Sequence, residues 1–233
     1  MTADPLVLIA EVDRATARLL ATAHTLDDDA VRASSPLPGW TRGHVLTHVA
    51  RNADSLINLL TWARTGVETP QYPSDEAREA GIQAGAPRPA AEQVADLAAA
   101  SERFAKAVDD IPAEAWATMV RWRGGRAQPA ARIVWTRLTE VEIHHVDLDA
   151  GYTPADWPDA FSHRLLHDLA NGRTEPAIRL EATDLGHTAA IGADSPTVSG
   201  PGHALAAWLI GRSAGDGLTV TPDGPLPPVP TWR

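Results

Sequence analysis

Arg137-Leu138-Thr139-Glu140-Val141-Glu142-Ile143-His144-His145-Val146-Asp147-Leu148 reads as part of one helix carrying an unusual density of carboxylates and imidazoles. Glu140 and His144 are four apart, so on a helix they share a face, one turn from each other. Far upstream, Gly39-Trp40-Thr41-Arg42-Gly43-His44-Val45-Leu46-Thr47-His48 offers a further candidate. His48 on a facing helix would complete a His/Glu/His set. Such a set holds zinc and leaves a fourth position open, as catalytic rather than structural zinc sites do. Spacing alone leaves rivals in place. His44 and His48 are themselves four apart. Glu142 and His145 are three apart on another face of the same helix, and Asp147 is placed to orient a ligating histidine. The structural alternative is a helical Glu/His ion pair and a hydrogen-bonded histidine on an unrelated face.

Working outward, Pro5 to His24 has apolar residues at helical spacing (Leu6, Ile9, Val12, Leu19, Leu20), with Thr16 the polar member of the stripe. Pro5 suits a first helical turn. Asp27 to Asp29 leads into a short helix, followed by the break Ser35-Pro36-Leu37-Pro38-Gly39. Thr41 is placed to cap a second long helix to about Arg64, with the stripe Val45, Val49, Ala53, Leu56, Ile57 and Leu60. Gly66 to Pro89 reads as a long loop with a short helix near Asp75 to Ala80. Pro89 to Asp110 is Ala-rich and helical. Met119 to Gln128 reads as a hairpin with Arg123-Gly124-Gly125-Arg126 at its tip, and Pro129 opens the helix that ends near Asp149. Four principal helices in a row predict a bundle, whose core commonly carries metal sites.

The pattern changes after Gly151. A helix over Asp159 to Asn171 precedes strands at Ala177 to Ala182, Thr188 to Ile191 and Thr197 to Ser199. A helix over Pro201 to Arg212 and a strand at Leu218 to Thr221 follow, and then a Pro-rich extended tail, Pro225 to Pro230. The expected fold class is α+β: a helical bundle over 1–152 and a small α/β domain over 153–233.

The chain has 233 residues, 44% of them apolar, enough for a substantial core. Its formal net charge of -10 argues against nucleic acid or an anionic membrane as partner. Lys106 is the only lysine beside 19 arginines. There is no cysteine, which excludes disulfides, thiolate ligands and a cysteine nucleophile. Any zinc must be held by histidine and carboxylate, and any thiol chemistry must use a thiol from outside. No signal peptide or bilayer-length apolar run is visible, so a soluble cytoplasmic protein is expected.

Leu37-Pro38-Gly39-Trp40-Thr41-Arg42-Gly43-His44-Val45-Leu46-Thr47-His48-Val49-Ala50-Arg51-Asn52-Ala53 resembles the signature of the mycothiol-dependent maleylpyruvate isomerases, members of the DinB-like metal-binding helical bundles. Leu60 to Pro70, Glu140 to Leu148, and Ile210-Gly211-Arg212 ahead of Gly215-Asp216-Gly217 resemble the same family. The resemblance is dense up to Asp149 and thinner beyond it. It implies a DinB-like four-helix bundle with His48, Glu140 and His144 as zinc ligands, and it places a catalytic arginine at Arg212. Without the resemblance, Arg212 reads equally as a cation at a helix C-terminus. His44 reads as a structural group near the helix start, and Trp40 as a packing residue there. Arg42, Asn52 and His145 are further candidates for the pocket, and Tyr72 sits in a loop, where exposure to solvent is the simplest reading.

The implied activity is a zinc- and mycothiol-dependent cis-trans isomerisation of maleylpyruvate to fumarylpyruvate. Adding a thiolate to one alkene carbon leaves a single bond. That bond rotates, and elimination of the thiol restores the alkene as the trans form. A free thiol has a pKa of about 8.5, so a nearby zinc ion would favour the reactive thiolate. The partners implied are mycothiol and a small dicarboxylate, for which Arg212 could clamp a carboxylate or steady the enolate formed after addition. A mycothiol-dependent S-transferase on the same scaffold would keep the three ligands and change the electrophile pocket. A non-catalytic metal- or ligand-binding protein is the alternative of a different class.

Overall fold

A computed structural model describes residues 5–171, 173–192 and 196–229. The extreme N-terminus read for a targeting segment, and Pro230 at the end of the Pro-rich tail, lie outside the described residues. The fold is α+β, and the chain divides into two compact units, Met1–Ala150 and Gly151–Arg233.

The first unit is built on α1 (Pro5–Ala23), α3 (Arg42–Thr65), α5 (Ala90–Asp109) and α6 (Arg132–Asp147). Helix α3 packs on α5 and α6, and α1 on α6 and α5, giving the four-helix arrangement expected. Helix α3 is central. Val45, Leu46, Val49, Ala53, Leu56, Leu59 and Leu60 are all buried, on more than one face. Thr41 caps it by accepting a hydrogen bond from the His44 amide, while His44 Nδ1 faces the Thr41 amide at 3.1 Å, closing a reciprocal box. Gly66, in the left-handed conformation, ends it.

The stripe read on α1 is rotated from its true buried face. Leu8, Val12, Ala15, Leu19 and Ala23 face the core. Leu6 is 63% exposed, and Ile9, Thr16 and Leu20 line a cavity of about 250 Å³ beside α5 and α6. Alanines at 15 and 23 account for the difference, since a hydropathy pattern gives them little weight although small side chains suit close helix contact.

Between α3 and α5 the chain is more regular than its Gly and Pro content suggests. The short helix expected near Asp75 is α4, running over Asp75–Gly85 and capped by Ser74. Helix α4 packs on α3. Gly43 and Gly85 permit this approach: a Cβ on Gly43 would collide with the Ala86 carbonyl oxygen, and one on Gly85 with the Thr47 side chain. Helix α2 (Asp28–Arg32) is capped by Asp27. The hairpin pairs β1 (Met119–Arg121) with β2 (Ala127–Pro129). Pro129 therefore closes the hairpin, and α6 starts three residues later, at Arg132.

In the second unit, α7 (Asp159–Asn171) packs on α8 (Gly202–Leu209). A four-stranded sheet has the order β4-β3-β5-β6, from β3 (Ile178–Ala182), β4 (His187–Ile191), β5 (Thr197–Gly200) and β6 (Thr219–Thr221). Strands β3 and β4 form an antiparallel hairpin, β3 and β5 run parallel, and β5 and β6 antiparallel. Strand β3 alternates as a half-covered strand should: Ile178, Leu180 and Ala182 are buried, Arg179 and Glu181 exposed. Helix α8 ends earlier than the sequence suggests. Gly211 takes a φ of 71°, its amide bonds the Trp208 carbonyl, and the Arg212 amide bonds the Ala207 carbonyl. That is a Schellman turn, which only a residue free to adopt the left-handed region makes easily.

Candidate metal centre

One helix of the bundle supplies Glu140 and His144, and another supplies His48. The i,i+4 spacing on α6 turns both side chains the same way, toward α3. The carboxylate Oε2 of Glu140 lies 3.0 Å from His48 Nε2 and 3.4 Å from His144 Nε2. The imidazole rings of His48 and His144 are edge to face, 4.6 Å apart. Among the described residues these three form the one group of histidine, aspartate or glutamate side chains with ligand atoms all within 4.8 Å of each other.

The surroundings fix the ring orientations. Asp147 Oδ2 is 2.8 Å from His144 Nδ1, so that nitrogen carries the proton and Nε2 points to Glu140. Trp40 packs against His48 with ring centroids 5.6 Å apart, so the packing residue at the start of α3 also walls the cluster. Arg78 of α4 brings Nη2 to within 3.3 Å of His48 Nδ1.

Electrostatics follow this geometry. Burial would raise the Glu140 pKa, but hydrogen bonds and charge from His144 and His48 outweigh it and hold the carboxyl well below the usual range. Burial would also lower His144, yet its bonds to Asp147 and Glu140 push it up to about 9. His48 goes the opposite way: burial dominates, the neighbouring His144 charge adds to it, and its pKa falls despite Glu140. An anionic carboxylate thus sits between a cationic imidazole and a neutral one. Two imidazoles and a carboxylate with convergent donor atoms, one imidazole held by a carboxylate behind it, are the donors a divalent ion such as zinc takes.

The rival ligands point elsewhere. Glu142 is buried against Arg18, at 2.6 Å. His145 Nε2 meets Thr22 Oγ1 at 2.7 Å on the α1 side. His44 belongs to the α3 cap. Arg42 donates to the carbonyls of Leu148 and Asp149, tying the start of α3 to the end of α6. Asn52 accepts from Arg137, a wholly buried guanidinium that also donates to the Val49 carbonyl. Tyr72 is half-buried: its ring lies under Arg78, with 5.9 Å from the guanidinium carbon to the ring centre. Burial also pushes its hydroxyl pKa up. Tyr72 does lie in the loop ahead of α4, but it is not the solvent-exposed residue expected there. Arg78 gave no signal at all, because its segment had no metal-type spacing.

Arg212 lies in the second unit, at the Schellman turn after α8, and its Nη1 donates to the Ile210 carbonyl at 3.0 Å. No helix among the described residues is long and apolar enough to cross a membrane.

Residues 12–149 match the sequence profile described as the mycothiol maleylpyruvate isomerase N-terminal domain. No curated protein matches the chain in sequence. Among solved structures, a mycothiol-dependent maleylpyruvate isomerase is 30% identical, with a TM-score of 0.90 over 98% of this chain and 97% of that one. A histidine-to-alanine mutant of such an isomerase superimposes almost as well, at a TM-score of 0.89 and 30% identity.

Proposed function

Because this chain belongs to the mycothiol maleylpyruvate isomerase family, we propose that it is an isomerase that converts maleylpyruvate to fumarylpyruvate with mycothiol as thiol cosubstrate. The observation that carries the reading is the convergence of His48, Glu140 and His144 inside the family-matched domain. Likeness over nearly the whole chain supports it.

In this reading His48, Glu140 and His144 hold one zinc ion. A zinc ion held by three protein groups supplies a Lewis acid with an open position, which favours the thiolate form of a thiol. The protein has no cysteine, so the sulfur nucleophile is the cosubstrate's own. Asp147 keeps the His144 proton on Nδ1 and its Nε2 lone pair free for the metal. Arg78, beside His48, adds positive charge where an anionic substrate must approach an acidic protein. Arg212 takes the substrate carboxylate, or the enolate oxygen that becomes charged after thiol addition. The bundle and the small α/β unit are then two domains of one enzyme.

The test is direct. Metal-loaded protein is incubated with maleylpyruvate, with and without mycothiol, and fumarylpyruvate is followed. Product should form only with the thiol. If metal and thiol together give none, the isomerase reading falls and a mycothiol S-transferase takes its place, to be sought with electrophiles that become thioethers of mycothiol.

A further inference from the structure

Three histidines meet on the surface of the second unit. His163 and His167 lie four apart on α7, so they share a face, one turn from each other, and both are exposed. His187 opens β4, an edge strand of the sheet, and is half-buried. Helix α7 packs on β4. That contact sets the rings of His163 and His187 edge to face, with 4.3 Å between centroids.

The three rings repel one another whenever they carry protons. Burial lowers the His187 pKa, and the nearby charges of His163 and His167 lower it further. No carboxylate enters among these causes, in contrast to His48, where Glu140 pulls the value up. His187 is therefore a neutral imidazole near pH 7, with a lone pair on one ring nitrogen. His167 is prepared in the same sense. The Asn171 carboxamide nitrogen lies 2.8 Å from His167 Nε2 and donates to it, so that nitrogen holds the lone pair.

Packing does not account for the cluster. Phe161, Leu165, Leu166 and Leu169 make the buried face of α7, so the exposed histidine face is not spent on the core.

Imidazole nitrogens bound to one ion, at about 2.0–2.1 Å from it, sit about 3 Å from each other. These histidines are not drawn in that far: unlike His48, Glu140 and His144, their ligand atoms do not all lie within 4.8 Å of one another. His163 and His167 are exposed, so both turn about χ1 and χ2 without disturbing the core. An ion can gather the pair, and the ring contact with His163 keeps His187 within reach.

We propose that His163, His167 and His187 form a second metal site, selective for copper(II). The donor set holds imidazoles and neither carboxylate nor thiolate. Imidazole suits copper, and among divalent first-row ions the affinity for such donors peaks at Cu²⁺ and falls again at Zn²⁺. Zinc is the weaker guest here, and the His/Glu/His cluster of the bundle stays the zinc centre. Copper bound to both elements ties α7 to the β3–β4 hairpin, and so stabilises the folded unit. The site does not rest on the isomerase reading, since none of its three residues lies in the family-matched span 12–149.

The probe is copper(II), titrated into the zinc-loaded full chain with zinc content followed in parallel. A single copper ion per chain should bind while zinc stays, and its paramagnetic resonance spectrum should show coupling to nitrogen ligands. His163→Ala, His167→Ala and His187→Ala should each weaken binding by about tenfold or more, since even groups that only support a ligand are worth that much. His187→Gln, nearer the parent in volume, covers the case where the alanine variant does not fold. His24→Ala, at an exposed position of the first unit, should bind copper as the parent does. Copper should raise the thermal midpoint of the parent more than that of His163→Ala. Copper that enters only by releasing zinc overturns the proposal, as does parental affinity in any folded variant of the three histidines. Binding to the parent no tighter than to the protein with His163 and His167 both replaced by alanine is adventitious copper only, and overturns it too.

Discussion

Glu140 is the hinge of the candidate site, since its carboxylate is the partner that both histidines share. Replacing Glu140 and His144 together by alanine should lower bound zinc from about one ion per chain to near none. Elemental analysis of the folded double variant measures this, and full metal content would end the three-ligand assignment. Arg212→Ala should cut turnover while leaving the metal in place. Unchanged kcat and KM would remove Arg212 from the reaction and leave it as the last member of a helix-ending turn. The His144 pKa, about 9 in the fold against an ordinary 6.5, has a consequence for the metal-free protein. Protonation is favoured in the folded state, so this stabilisation is fully present below about pH 6.5 and lost as pH rises through about 9. Thermal melts of metal-free protein across that window should show the decline, and Asp147→Asn should flatten it. Equal slopes in parent and variant would contradict the assigned cause.

Two helices carry the candidate ligands, and a third reaches them only because glycine allows it. Helix propensity alone says that Gly43→Ala in α3 should stabilise by up to about 1 kcal/mol. The contact says otherwise, because the new Cβ would strike the Ala86 backbone carbonyl, which cannot swing aside as a side chain can. The expected result is a loss of stability in a denaturant melt, and a gain would show that α4 can move away freely. At this scale the sequence was legible wherever periodicity and caps agreed. Thr41 starts α3 and Gly66 ends it, as their chemistry requires. Legibility failed on α1, where alanines share the buried face, and in part on α4, whose helix was expected near Asp75 to Ala80 but runs on to Gly85. It failed again at Pro129, which suits a helix start in sequence but lies in a strand here. The Glu140/His144 pair was legible because it is local to one helix. The place of Arg78 was not, because it depends on how α4 lies against α3.

For the whole molecule, a metal that binds only the folded state stabilises it by mass action. At free metal one hundred times Kd the gain is about 2.7 kcal/mol. For a chain of this size that is a shift of roughly 5–10 °C in thermal midpoint. Chelation should lower the midpoint by about that amount, and the Glu140/His144 double variant should show no further change. A midpoint indifferent to chelator in the parent would mean that no tight folded-state metal site exists. The sequence by itself determined the helical bundle followed by a mixed α/β part, the absence of any protein thiol, the acidic charge, and the shared face of Glu140 and His144. All are set by composition or by contacts within one turn of chain. Tertiary structure alone decided that His48, 92 residues from Glu140, meets it, that His44, Glu142 and His145 turn away, and that Arg78 reaches His48. Those choices depend on the rotation of each helix about its axis and on how closely two helices approach. Both are fixed by packing across the fold, which local spacing does not encode.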